Sequence, residues 1–283
     1  SPIAAVGLAA TFNFVAFLVF PLNVAKTIGG KVINSEIVTL ELIAAAVLAA
    51  IIWNLITWWM GLPSSSSHTL VGGLVGAAIA GSGFGSVMYA GVIKIVIFIV
   101  VAPALGMVMA YIISVIALYI VKNYSPSKVD RWFRRLQLLS ASAFSLGHGG
   151  NDAQKSMGII WVALYSLGKV PKDSDPALWI VLSCHAAIAM GTLFGGWRIV
   201  KTMGQRITKL RPFEGFCAET AGALTLFGAT GLGIPVSTTH TITGSIMGVG
   251  ATKRLSAVKW GVSRKIFIAW ILTIPVSAVI GAF

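Results

Sequence analysis

The segment PSSSSHTLVGGLVG (63–76) returns 172 positions later as PVSTTHTITGSIMG (235–248). Pro, one Ser, His, Thr and two Gly are identical, and two further positions exchange Ser for Thr. Each copy is a Pro-containing, hydroxyl-rich break. Each leads into an apolar stretch, 70–82 or 236–250, shorter than the ~17 residues that a bilayer crossing needs. Such a unit is expected to enter a membrane, turn, and leave on the side it came from. Irregular backbone at that depth survives only where protein buries it or where it lines a polar cavity. Both breaks are therefore candidate sites.

Two more pairs extend the repeat. KTIGGKV (26–32) matches KTMGQRI (201–207) at an offset of 175, and GVIK (91–94) matches GVSR (261–264) at 170. Three anchors in one order at nearly one offset indicate two related halves. One hairpin and three crossings, at 91–121, 137–166 and 177–197, separate the two KT segments. Three is odd, so these segments face opposite sides and the repeat is inverted.

Charge agrees with the count. The connections 122–136, 198–211 and 253–265 fall on one side with five Lys or Arg each, fifteen of the 21. That side is expected to be cytoplasmic. The connection 24–35 holds two, and 167–176 offsets two Lys with two Asp.

The expected fold is thus an all-α polytopic membrane helix bundle with two inverted repeats and two re-entrant helical hairpins. Residues 1–121 form the first repeat, 122–136 a cytoplasmic connecting loop, and 137–283 the second repeat. The offset also places the partner of Asp152 at 152 − 175 = −23, ahead of Ser1. The first repeat is therefore expected to lack its first span and to leave an open groove beside the site.

Composition excludes a soluble protein. Hydrophobic residues make up 57% of the 283 and charged residues 10%, with a mean hydropathy of +0.89. A wet surface takes roughly 25% charged residues. The net charge of +13 would suggest nucleic acid in a soluble chain. Here the cations sit between apolar runs, so no nucleic-acid partner is expected and membrane lipid is. Cys184 and Cys217 lie within apolar stretches without CxxC spacing, which indicates neither a disulfide nor a metal site.

The third chemical feature is GHGGNDAQKSMG (147–158). Asp152 is the only acid between Asp130 and Asp173, and an ionised carboxylate at bilayer depth is a functional hypothesis by default. Gly147, Gly149 and Gly150 are expected to loosen the helix into an unwound turn. There Gly149, Asn151 and Asp152 would coordinate a coupling cation, with Na+ at Asp152 and Asn151 as the metal reading. The plain alternative is an ion pair between Asp152 and Lys155 on one helix face.

The hydroxyl runs have a matching rationale. Ser65, Ser66, Ser67 and Ser237, Thr238, Thr239 each precede a helix, whose N-terminus offers free amides and a partial positive charge to an anion. The plain alternative is N-capping, for which Ser and Thr are preferred in any case. His68 and His240 follow the two runs, either as donors to an anion or as hydrogen-bonding partners within the hairpins. Trp58 and Trp59 read as an interfacial pair. Glu41 and Glu219 are isolated acids near the hairpins.

These motifs, with FGGWRIVKTMG (194–204), resemble the inorganic phosphate transporter (PiT) family over essentially the whole chain. The resemblance implies inverted repeats, phosphate held at the midplane between the hairpins, and symport with sodium or protons by alternating access. It implies phosphate contacts from Ser65, Ser66, Ser67, Ser237, Thr238, Thr239, Asn151, Asp152 and Lys155. No cofactor beyond the coupling Na+ or H+ is implied. The setting is a multi-pass protein of the plasma (inner) membrane, with homo-oligomers open to it. One departure stands out: the family has a GxND-type signature in each half, and this sequence shows only the second. The rival readings are a membrane phosphatase acting on a polyprenyl diphosphate, a transporter of sulfate, and a passive anion channel. The phosphatase needs a nucleophile, a base and cationic clamps; hydroxyls and His are present, but no Arg adjoins either run.

Overall fold

The computed structural model describes residues 2–171 and 174–283. Ser1, Lys172 and Asp173, which entered the end-of-chain and charge arguments above, lie outside the described residues. Among those described there are eleven α-helices and no strand. The first series is α1 (Pro2–Val15), α2 (Asn23–Lys31), α3 (Leu40–Met60), α4 (Ser66–Ser82) and α5 (Tyr89–Val121). Then come α6 (Pro126–Ser166) and a second series: α7 (Leu178–Phe194), α8 (Trp197–Lys201), α9 (Pro212–Gly231), α10 (Thr238–Lys253) and α11 (Trp260–Ala282). The element order of α1–α5 recurs in α7–α11.

Length and composition qualify α3, α5 and α11 to cross a membrane, and two bent pairs raise the number to five. The bent pairs are also equivalent in the two series. Pro2–Leu18 meets Asn23–Lys31 at 80°, and Leu178–Phe194 meets Trp197–Ile207 at 66°. The polar run at 147–156 keeps α6 off that list, although at 41 residues it is the longest helix. Apolar side chains such as Val100, Ile271 and Leu55 stand exposed along α5, α11 and α3, as hydrocarbon surroundings permit.

Each hairpin closes at its mouth by backbone pairing. Met88 N–H donates to the Val32 carbonyl at 3.0 Å, joining the chain before α3 to the chain after α4. Lys259 N–H donates to the Ile207 carbonyl at 2.9 Å, doing the same around α9 and α10. An ion pair between Lys253 and Glu214 adds to the second mouth. Both hairpins thus start and finish at one level. Val32 and Ile33 share a core cluster with Trp161 and Val162 near the end of α6, whereas Ile207 clusters with Phe133 near its start. At about 1.5 Å per residue, those two stations on α6 are roughly 40 Å apart.

Glycines set how closely the helices cross. Gly72 and Gly76 of α4 press against the Ile274 and Ala278 carbonyls of α11, with no room for a Cβ. At the repeat offset, Gly244 and Gly248 of α10 press against the Pro103 and Met107 carbonyls of α5. Small residues at such seams let backbones approach where no hydrophobic force drives helices together. Each short hairpin helix is therefore held by the long helix of the opposite series.

Three expectations are corrected. The stretch 122–136 is not a loop, because α6 begins at Pro126, an N-terminal proline whose missing N–H costs nothing there. The KT segments, expected as connecting loops, are helical; they lie in α2 and at the junction of α8 with the π-helical turn Thr202–Ile207. Finally, the helix through 147–158 does not unwind. Its glycines serve packing instead: Gly149 sits on the backbone of Asn13, Gly150 on the Phe20 ring and Gly158 on Ala25.

Candidate functional site

The two helix breaks share one construction. α3 ends at Gly61 with φ +67°, and α9 is followed by Gly233 with φ +66°, a left-handed conformation that costs glycine little. Leu62 N–H returns to the Thr57 carbonyl and Ile234 N–H to the Ala229 carbonyl, both at 2.9 Å. These bonds close the Schellman-type C-caps. Pro63 and Pro235 follow two residues on and cannot continue the helix. Ser65 then caps α4 by accepting from His68 N–H, and Ser237 caps α10 by accepting from His240 N–H, each at 3.2 Å. The result is two tips with capped, N-terminal ends.

Each tip is braced by the other series. Thr202 donates to the Gly61 carbonyl at 3.0 Å, and Thr27 donates to the Gly233 carbonyl at 2.8 Å. Arg198 also donates to the Trp59 carbonyl at 2.6 Å, so an Arg does stand beside the first tip, brought there by the fold rather than by sequence proximity.

Between the tips runs α6. Lys155 is buried and donates to the Asp152 carboxylate at 2.5 Å, to Ser67 Oγ at 2.5 Å and to the Val236 carbonyl at 2.7 Å. One ammonium thereby joins the first tip to the second. Asp152 also accepts from Thr238 Oγ1 at 3.1 Å and faces His148 Nε2 at 3.3 Å. His148 Nδ1 meets Asn13 Oδ1 at 2.9 Å, and Asn13 donates to Thr192 Oγ1 at 2.9 Å. A cavity of about 570 Å³ opens on this cluster, lined by Ser66, His148, Asp152, Ser156, Ser183 and Cys184 among others.

The structure sorts the expected site residues. Ser66 and Asp152 line the cavity, while Ser67, Thr238 and Lys155 join the charged cluster at its edge. Ser65 and Ser237 are buried helix caps. Thr239 is half-buried and does not line the cavity. Asn151 points away from Asp152, donating to Thr230 Oγ1 at 2.9 Å and to the Ile234 carbonyl at 3.3 Å. Its Oδ1 is buried without a hydrogen-bond partner. Gly149 lies in continuous helix against Asn13 and offers no unwound carbonyl.

Asn13, Thr192 and Ser183 were not singled out from sequence. Asn13 is a polar residue in an apolar run, the one signal that would have marked it. Among the described residues, no group of three or more His, Cys, Asp or Glu is placed to hold a metal ion. A cation here would rely on neutral oxygens beside Asp152.

Behind the tips lies an aromatic stack. His68 and His240 meet edge to face with ring centroids 4.7 Å apart, and His240 stacks on Trp270 of α11 at 3.8 Å. The Trp270 indole N–H donates to the Pro63 carbonyl at 3.1 Å. This residue therefore touches both hairpins at once. Glu219 sits apart, accepting from Ser140 Oγ at 2.6 Å.

Comparison with known proteins places this arrangement. A family model described as the phosphate transporter family matches residues 1–281. A protein of Rhizobium meliloti (strain 1021), named a probable low-affinity inorganic phosphate transporter, is 56% identical over 281 residues, covering 99% of this chain and 84% of its own. A Bacillus subtilis (strain 168) protein of the same name is 44% identical over 283 residues, covering 99% and 85%. A solved structure of a sodium-dependent phosphate transporter superposes with a TM-score of 0.85 at 26% identity, over 97% of this chain and 87% of that one.

Proposed function

This chain belongs to the phosphate transporter family, an integral membrane family of transporters and not of enzymes, and we propose that it moves inorganic phosphate by cation-coupled symport. The polyprenyl-diphosphate phosphatase reading falls with that membership. One observation supports the mechanism above others: Lys155 and Asp152 of α6 stand between two capped helix tips, at the edge of an open cavity.

The first-turn amides of α4 and α10 have no acceptor within their own helices and concentrate positive potential at the tips. Ser66 adds a hydroxyl in the cavity. An oxyanion entering there meets donors from a tip, with the buried positive charge of Lys155 close behind Asp152. A monovalent cation finds the Asp152 carboxylate at the cavity, with Thr238 Oγ1 beside it as a neutral oxygen. The sodium-dependent structural relative favours Na+ over H+ as that cation. Phosphate is the substrate of choice over sulfate on the same family grounds.

The halves read as inverted repeats, 1–121 and 137–283, with the hairpins entering from opposite membrane faces. The hairpin mouths clustering at opposite ends of α6, and the matched bonds Thr27–Gly233 and Thr202–Gly61, support that reading. Alternating access then consists of the tips parting from α6 in turn, each toward its own side. Labelled phosphate uptake into proteoliposomes under separate sodium and proton gradients tests this. Accumulation under the sodium gradient, competed by phosphate more than by sulfate or chloride, is the expected result. Uptake indifferent to both gradients ends the symport reading, and preferential sulfate uptake ends the substrate assignment.

A further inference from the structure

A second cavity, of about 400 Å³, lies on the outside of the bundle between α5, α10 and α11. Its walls are apolar throughout, with Ile99, Pro103, Met107, Met247, Phe267 and Trp270 among them. It sits midway along two helices long enough to cross the membrane, and its neighbours Val100, Ile268 and Ile271 are exposed. At that depth the surrounding solvent is hydrocarbon, so the groove suits an acyl chain.

Charge identifies which lipid. Arg264 precedes Phe267 by three residues and Ile271 by seven on α11, which places all three on one helix face. Arg264 is exposed and makes no ion pair among the described residues, one turn above the cavity and close to the start of α11. We propose that the α5–α10–α11 groove and Arg264 together form a seat for one anionic phospholipid, with its phosphate on Arg264 and an acyl chain lying against Trp270. The seat has a mechanical consequence. Trp270 is the residue that stacks on His240 of one hairpin and donates to Pro63 of the other. The indole is almost fully buried, with the exposed Phe267 and Ile271 beside it in the groove wall, so a chain in the groove braces it from outside and favours the state in which both tips stay together.

Fluorescence quenching by brominated acyl chains tests the seat, because bromine quenches tryptophan only at short range. The Trp270 contribution is the part of the signal lost in Trp270→Phe. In wild type, brominated phosphatidylglycerol should occupy the groove about fivefold more readily than brominated phosphatidylcholine, the enrichment that a single surface cation confers. Arg264→Gln should bring the two lipids level, and Ala104→Phe, which fills the groove, should reduce quenching by both. Should Trp270→Phe fail to fold, the same preference is read on total tryptophan quenching in wild type against Arg264→Gln. Equal quenching by the two lipids in wild type, or a preference that survives Arg264→Gln, overturns the seat. This arm does not depend on phosphate transport. Uptake measured against phosphatidylglycerol fraction tests the hold on the tips: the wild-type rate should change with that fraction and the Arg264→Gln rate should not. Wild-type uptake that ignores the fraction overturns that hold.

Discussion

Thr202 donates its hydroxyl to the carbonyl of Gly61 at 3.0 Å, and the bond has a twin 175 residues earlier in Thr27, which serves Gly233 at 2.8 Å. Each half thus pins the bend of the other half's hairpin. Replacing either threonine by valine should cost about 1 kcal/mol of stability for the lost hydrogen bond. The two variants should lose similar amounts in thermal melts, while phosphate affinity stays unchanged. Unequal losses would show that the two bends are not equivalent.

The Asp152–Lys155 pair makes a sharper forecast. Asp152→Asn leaves the ammonium of Lys155 buried and unpaired, which typically costs about 3–5 kcal/mol. Adding Lys155→Met should restore most of the thermal stability without restoring uptake. Recovery of uptake in the double variant would mean that neither charge takes part in transport.

Hydroxyls of the tips should separate into two groups. Ser65→Ala and Ser237→Ala remove helix caps and should each cost about 1 kcal/mol of stability. Ser66→Ala removes no cap and should leave melting unchanged. Its effect should appear in phosphate binding, weakened by roughly 1.5–3 kcal/mol if the hydroxyl meets the anion directly. Identical melting and binding profiles for all three variants would contradict the assignment.

Close helix crossings predict a contrast between two glycines. A Cβ at Gly244 meets the Pro103 carbonyl, a backbone atom that cannot swing away. Gly244→Ala should therefore destabilise by about 1–3 kcal/mol. At Gly228 nothing lies within 4 Å, so Gly228→Ala should be neutral or mildly stabilising. Thermal melts in detergent distinguish the two.

Sidedness is open to labelling. In a background without Cys184 and Cys217, single cysteines at Lys128 and Leu255 should react only from the cytoplasm, and those at Lys31 and Lys169 only from outside. Reaction of positions 31 and 255 from the same side would remove the inverted arrangement.

Much of this design is written in local sequence. Gly61-Leu-Pro and Gly233-Ile-Pro announce where a helix must stop, and Ser65 and Ser237 where the next begins, so both hairpins are legible from a few residues. The pinning of Gly61 by Thr202 is not, because a contact across 141 positions leaves no periodic trace. The glycines at 147–150 misled for a physical reason. Glycine weakens a helix and also lets a neighbouring backbone come close, and sequence does not distinguish the two uses. Here Asn13 and Phe20 occupy the space, so the helix stays intact. Asp152 and Lys155 read as a candidate ion pair from spacing alone. That the ammonium also reaches both tips depended on where the hairpins end.

Because Asp152 and Lys155 neutralise each other, the vacant site holds no net charge from this pair. Moving one elementary charge through 100 mV is worth about 2.3 kcal/mol, a toll that the empty carrier of the proposed symport cycle would escape as it resets. In that proposed cycle the membrane voltage would act on the loaded step alone, through whatever imbalance remains between the coupled cations and the phosphate. Current recorded during transport would count that imbalance directly, and the return stroke would be silent.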